Sequence, residues 1–294
     1  MDRYVQANGI RLHYLDHAAE GLDHAAEGLD QAAEGPTLLL MPGLTANAHS
    51  FDALASAGLV PAVRLLALDL RGRGLSDQPG SGYTLADHAA DVIGLLDSLD
   101  LDRVALGGHS YGGLLGLYLA AHHPERVSKL VVIDAAAEMH PDTRRLIQPA
   151  IDRLGKPVPS WDHYLAAVKL MPCFYRWWDP AIESYFRADV RTLPDGRVIS
   201  RSSPAAITEA VEHVLAEDWQ AKLPLIDQPT LLLNATGGYG LPGAPPLLPR
   251  AQAEATVAAL RHGRYRAVPG NHITLLYGEG AALMAKEIVK FMLD

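Results

Sequence analysis

Short apolar runs separated by longer amphipathic stretches recur along most of this chain. Thr37–Met41, Val63–Asp69, Val104–Gly107, Leu130–Asp134, Thr230–Asn234 and Tyr265–Val268 are each too short for an ordinary helix and are expected as buried strands. Between them, apolar positions fall at helical spacing. Leu85, Ala89, Val92, Leu96 and Leu99 share one helical face, and Thr84 followed three residues later by Asp87 is a helix-start signal. Met284, Ile288 and Phe291 repeat the spacing near the end. Strand and helix in alternation predict an α/β fold with a mainly parallel sheet covered by helices on both faces.

Residues 136–222 break this rhythm. They carry helix formers, prolines and large aromatics, with no apolar run of the parallel-strand kind, and are expected as a helical cap. The cap divides a core whose first part is 1–135 and whose second part is 223–294. Its aromatics form a small core of their own or line a pocket, and Trp161, Trp177 and Trp178 are the candidates for the pocket. Residues 16–35 are a second irregularity, a near-perfect seven-residue repeat of the type Asp-His-Ala-Ala-Glu-Gly-Leu. A glycine in every unit and one large apolar residue per seven argue against a coiled coil. Excising two units restores a connection of ordinary hairpin length, so the segment reads as a duplicated loop with no metal site.

Composition narrows the function classes. The 294 residues are 49% apolar, enough for a large buried core. A formal net charge of −9 and the absence of any Lys/Arg block argue against nucleic acid and anionic membrane surfaces as partners. The single cysteine, Cys173, excludes an intrachain disulfide framework. With no signal-peptide pattern and no long apolar segment, a cytoplasmic, unexported protein is expected. Oligomeric state is not encoded in any feature of the sequence.

The densest chemistry lies at Gly107-Gly108-His109-Ser110-Tyr111-Gly112-Gly113, between an apolar strand and a helical pattern. G-x-S-x-G in this context is a nucleophile elbow, which holds a serine at the tip of a strand in a strained turn. A phosphate cradle would need the Lys and Ser/Thr of a P-loop, and these are missing.

Three further motifs accompany it: Met41-Pro42-Gly43-Leu44, Asp69-Leu70-Arg71-Gly72-Arg73-Gly74-Leu75-Ser76, and Pro269-Gly270-Asn271-His272. Together the four make the chain similar to the α/β-hydrolase family across essentially its whole length apart from the repeat. The resemblance implies a serine hydrolase with Ser110 as nucleophile and His272 as base. It also implies an oxyanion hole made by the backbone N–H groups of Leu44 and Tyr111. The family commonly has histidine where Met41 stands, a departure that leaves the backbone donors untouched. His109 is read as packing or polar support, and Arg71–Ser76 as a structural turn.

The triad acid departs from the usual pattern. Most members carry it just beyond the strand at Thr230–Asn234, where this chain reads Ala235-Thr236-Gly237-Gly238-Tyr239-Gly240. Glu254, the one acid between Thr230 and His272, lies inside a helical pattern. A minority of the family places the acid one strand after the nucleophile, which points to Asp134, with Glu138 as the fallback and Asn234 as a neutral partner for His272. The implied activity is hydrolysis of a small, largely apolar acyl ester through an acyl-enzyme, with no cofactor or metal. Carbon–carbon, amide, lactone or thioester cleavage needs the same triad. Arginines of the cap, Arg144, Arg145, Arg153 and Arg197 among them, are candidates for a substrate carboxylate. A ligand-binding relative with little turnover is the reading from another class.

The repeat yields a test. Deleting residues 17–30 is expected to leave thermal stability and activity near those of the parent, because loop-length changes cost about 0.6 kcal/mol per doubling. Insoluble protein, or a changed elution volume on size exclusion, would show that the repeat packs against something specific.

Overall fold

A computed structural model of the chain describes residues 1–17 and 35–294. In chain order the first elements are β1 (Asp2–Ala7), β2 (Ile10–Asp16), β3 (Thr37–Met41), the single turn α1 (Asp52–Leu54), β4 (Arg64–Leu68) and α2 (Leu85–Ser98). They are followed by β5 (Val104–His109), α3 (Tyr111–His122) and β6 (Val127–Ile133). After β6 come α4 (Thr143–Asp152), α5 (Trp161–Lys169), α6 (Pro180–Asp189), β7 (Val190–Thr192), β8 (Val198–Ser200), α7 (Pro204–Leu215) and α8 (Trp219–Lys222). The chain then returns with β9 (Thr230–Ala235), α9 (Arg250–Ala259), β10 (Gly263–Val268) and α10 (Gly278–Leu293).

One eight-stranded sheet has the order β1-β2-β4-β3-β5-β6-β9-β10, antiparallel at the β1-β2-β4 edge and parallel from β4 to β10. The side-chain period of two divides the strand residues between two cores. Leu38, Leu40, Val131, Ile133 and Leu233 pack on one face with Phe51, Leu54, Met284 and Ile288. Leu39, Met41, Leu130, Val132 and Leu232 pack on the other with Val92, Leu96, Leu115 and Leu119. Burying each such side chain is worth about 1.5–3 kcal/mol, so a one-residue slip in a central strand would empty both faces at once.

This register positions the site. Met41 of β3 is opposite Gly108 of β5, and His109 is opposite Ile133 of β6. The segments following Met41, His109 and Ile133 therefore leave the sheet at one level, along the carboxyl edge where open α/β sheets bind their ligands.

All six expected strands form, with ends shifted by no more than three residues. β1 and β2 were not expected. β1 is largely exposed, so it lacks the continuous apolar run that marks a buried strand. β4 lies between β2 and β3, so the segment joining those two strands links non-neighbours and does not close a hairpin. Repeat residues 18–34 lie outside the described residues, and the duplicated-loop reading with them.

Residues between β6 and β9 contain the expected helices together with an antiparallel pair, β7 and β8. A buried polar cluster ties them together. Arg153 Nη1 donates to Asp189 Oδ2 (2.5 Å) and to the Tyr164 hydroxyl (2.5 Å), Tyr164 donates to the same carboxylate, and the Ser200 hydroxyl donates to Asp189 Oδ1 (3.1 Å). No helix among the described residues is long and apolar enough to cross a membrane.

Removing one partner of a buried ion pair leaves the other charge unsolvated. Asp189→Ala is expected to destabilise the protein by about 3–5 kcal/mol, read from the urea midpoint. A loss below about 1 kcal/mol would mean that the insertion does not depend on this cluster.

Candidate active site

Ser110 stands between β5 and α3 with φ 54° and ψ −117°, a conformation that L residues rarely hold. Its side chain makes no capping bond to α3, although it occupies the N-cap position. The turn is possible because Gly112 has no Cβ, which would sit 2.0 Å from the carbonyl oxygen of Met41. At the elbow, the strand end, the helix start and the chain leaving β3 are in direct contact.

His272 lies in the loop after β10, and its Nδ1 is 2.7 Å from Asp134 Oδ2. Both are buried, at 5% and 1% exposure. Asp134 follows β6 in a left-handed conformation with φ 49°. Its other oxygen, Oδ1, accepts from the Asn234 side chain (2.9 Å) and the Ala235 amide (2.7 Å), so three donors surround the carboxylate. Asn234 thus braces the acid and does not touch the imidazole, in contrast to its expected role as a neutral partner of His272. Its own Oδ1 is held by the Tyr265 hydroxyl at 3.0 Å. Glu138 is exposed and borders a different hollow, with Gln252 and Thr256.

The histidine loop is fixed from several sides. Asn271 Nδ2 donates to the Cys173 carbonyl (2.7 Å), and its Oδ1 accepts from the amides of Ile273 and Thr274. His109 Nε2 donates to the His272 carbonyl at 2.7 Å, and the two rings are 4.5 Å apart. Burial, followed by the neighbouring His272, pushes the His109 pKa well below the ordinary range, so His109 is a neutral donor that supports the loop. The Cys173 thiol, pushed up to about 12 by burial, is an inert filler.

Ser110, His272, Leu44 and Tyr111 border one cavity. Neither the Leu44 nor the Tyr111 amide has a hydrogen-bond acceptor among the described residues, and Tyr111 opens α3, where the helix dipole is positive. A Ser–His–Asp set beside two free amides has the parts for nucleophilic attack on a carbonyl and for holding the resulting oxyanion.

The expected pocket tryptophans lie elsewhere. Trp161 stacks on Tyr164 with centroids 6.0 Å apart, and Trp178 meets Phe174 edge-on at 5.4 Å, both within the insertion's aromatic packing. Trp177 is 37% exposed and borders a separate hollow with Trp178. The cavity is instead walled by aliphatic side chains of α4 and α7, Ile147, Val211, Val214 and Leu215 among them, together with Tyr185, Tyr239 and Tyr277. Among the arginines named as carboxylate binders, Arg144 alone reaches this lining, and it has no ion pair among the described residues. Arg145 pairs with Asp142, Arg153 with Asp189 and Arg197 with Asp195.

The family described by the alpha/beta hydrolase fold matches residues 36–278, and the chain belongs to that family. Among its relatives is a protein from Variovorax paradoxus (strain S110) named as a carbamate hydrolase, RutD, 38% identical over 47% of this chain and 50% of its own length. A 2-(acetamidomethylene)succinate hydrolase from Mesorhizobium japonicum is 31% identical over 45% of this chain and 48% of its own. The chain therefore spans about half the length of these curated relatives. The crystal structure of an E-2-(acetamidomethylene)succinate hydrolase superposes with a TM-score of 0.80 at 23% identity, covering 100% of this chain and 99% of the other, a likeness of fold.

The placement of the acid can be tested directly. Asp134→Asn is expected to lower kcat by about 10⁴ with little change in KM, the loss that this substitution causes in a serine-protease triad. Glu138→Gln is expected to leave kcat within a factor of about two, as befits an exposed surface residue. The reverse result would move the acid to Glu138.

Proposed function

We propose that this chain is a serine-dependent acyl hydrolase acting on a small, largely apolar carboxylic ester, without a cofactor. The observation that carries the reading is the meeting, at one apolar cavity, of a serine on a strained elbow, a buried His272–Asp134 pair and two unpaired amides. Asp134 accepts a hydrogen bond from the Nδ1–H of His272, which leaves the Nε2 lone pair to act as base. The Ser110 oxygen adds to the carbonyl carbon as its proton passes to Nε2. The carbonyl π pair becomes an oxyanion facing the amides of Leu44 and Tyr111. Collapse breaks the bond to the leaving oxygen, which receives the proton from His272, and the acyl group remains on Ser110. Water repeats the sequence with His272 as base and releases the carboxylic acid. The reading involves no nucleic acid or membrane, and we place it in the cytoplasm.

A second reading keeps the mechanism and changes the bond to an amide or carbamate. The names of the two relatives support it, and the unpaired Arg144 at the cavity adds a site for an anionic substituent. A matched panel of aryl esters, anilides and carbamates, each with and without a carboxylate, separates the two readings by relative kcat/KM. Ser110→Ala and His272→Ala are each expected to remove turnover to a similar degree, since members of a triad act as a unit. One equivalent of an organophosphate is expected to do the same to the parent. Near-normal kcat in folded Ser110→Ala would end both readings, and stoichiometric ligand binding without turnover by the parent would favour a binding protein.

A further inference from the structure

The loop after β4 contains a charge that the proposed reaction has not used. Arg73 is 0% exposed, and no carboxylate pairs or hydrogen-bonds with it among the described residues. A neighbouring arginine shows the usual arrangement: Arg71 Nε and Nη2 hold both oxygens of Asp91 at 2.6 and 2.5 Å. Arg73 has only neutral partners. Its Nε donates to the Leu44 carbonyl (2.9 Å), and its Nη1 to the Arg71 carbonyl (2.7 Å) and to His88 Nε2 (3.0 Å). Nη2 has no partner.

His88 cannot neutralise it. A guanidinium has only donors, so His88 Nε2 must present its lone pair, and Nδ1 keeps its proton and donates to the Thr84 carbonyl (2.7 Å). Burial, followed by the Arg73 charge, pushes the His88 pKa well below its ordinary range. Burial also lowers that of Arg73, to about 10, which still leaves it protonated at neutral pH.

The position of this cation gives it meaning. Leu44, whose carbonyl it holds, and Tyr111, whose ring lies 5.5 Å from its guanidinium carbon, both border the cavity, and neither of their amides has an acceptor among the described residues. We infer that Arg73 is a positioning residue for the oxyanion hole: it fixes Leu44 from behind and supplies the counter-charge that the resting site lacks. A buried cation without an anion is costly in the free protein and less so once a negative charge develops nearby. The tetrahedral oxyanion is such a charge, present in the transition state and absent from the bound ester, so the interaction lowers the barrier without tightening substrate binding. The inference rests on the acyl-hydrolase reading of the same cavity.

Arg73→Gln retains an N–H for Leu44 and removes the charge, whereas Arg73→Lys keeps the charge. With an aryl ester, Arg73→Gln is expected to lower kcat by about 10- to 100-fold with KM nearly unchanged, somewhat less than the loss on removing a direct oxyanion donor. A trifluoromethyl ketone, which forms an anionic tetrahedral adduct with serine, should lose affinity by the same factor, while the product alcohol should bind as before. Arg73→Lys should recover most of both losses. A folded Arg73→Gln with kcat within twofold of the parent would overturn the inference, as would equal weakening of ketone and alcohol. If Arg73→Gln does not fold, Arg73→Lys decides: kcat and ketone affinity within about tenfold of the parent support the inference, and larger losses refute it. Turnover surviving in Ser110→Ala would overturn the acyl-hydrolase reading as well. An inactive Ser110→Ala beside a fully active Arg73→Gln would remove this inference alone.

Discussion

The site depends on a contact between two stretches of backbone. Gly112, in the first turn of α3, approaches the Met41 carbonyl so closely that no side-chain carbon fits between them. Because β3 and β5 are already paired in parallel, with Met41 beside Gly108, that contact sends Pro42–Leu44 across the start of α3. Leu44 and Tyr111 therefore border the same cavity as a consequence of main-chain register. Two leucine-rich faces hold the register.

The same edge offers two strand ends for the acid, and packing chooses between them. Beyond β9 the chain lies directly against its neighbours: the Gly237 amide donates to the Gly270 carbonyl at 2.8 Å, and a Cβ on Gly238 would be 2.2 Å from the Ala244 carbonyl oxygen. A carboxylate side chain has no room at that glycine. Asp134 turns off β6 into a left-handed conformation and reaches His272 from the next strand. β9 still contributes, since Asn234 and the Ala235 amide hold the second carboxylate oxygen. Here β9 supplies the support and the end of β6 the carboxylate that meets His272.

What could be read from the sequence follows from how local each determinant is. The inner parallel strands were legible because they are largely buried on both faces and so read as apolar runs, Thr37–Met41 within its exact bounds, whereas the edge strand β10 is only partly buried. The elbow was legible because its glycines, strand and helix are contiguous. Asp134 could be chosen by its place at a strand end, but the role of Asn234 depends on the β6–β9 pairing and emerges only in three dimensions. The tryptophans misled because aromatic content does not reveal which side of a helix faces a cavity, and α4 and α7 brought aliphatic residues there. Arg73 was hidden for a related reason. An arginine in a Gly-rich loop is ordinarily solvated, and its burial follows from Leu44 and Tyr111, which come from distant parts of the chain, closing over it.

Four unfavourable features of the fold lie close to the cavity, although positive φ values also occur at Asn8, Asp100 and Arg176. Ser110 and Asp134 hold positive φ values, which cost about 1–3 kcal/mol each, and among the described residues Arg73 lacks a counter-ion and the buried His109 Nδ1 lacks a partner. Ser110 and His109 line the cavity, Asp134 holds the cavity-lining His272, and Arg73 holds Leu44 from behind. Each is tolerated because the sheet beneath is over-determined by apolar side chains on both faces, so no single relaxation of the backbone can relieve one strain without opening the core. Strain and unpaired charge concentrated at one edge have a chemical consequence. The serine is held at the cavity, the imidazole is held by Asp134, and a buried guanidinium holds the Leu44 carbonyl. Water in free solution would have to reorganise to provide the same environment, and this site has it built in at the stage of folding.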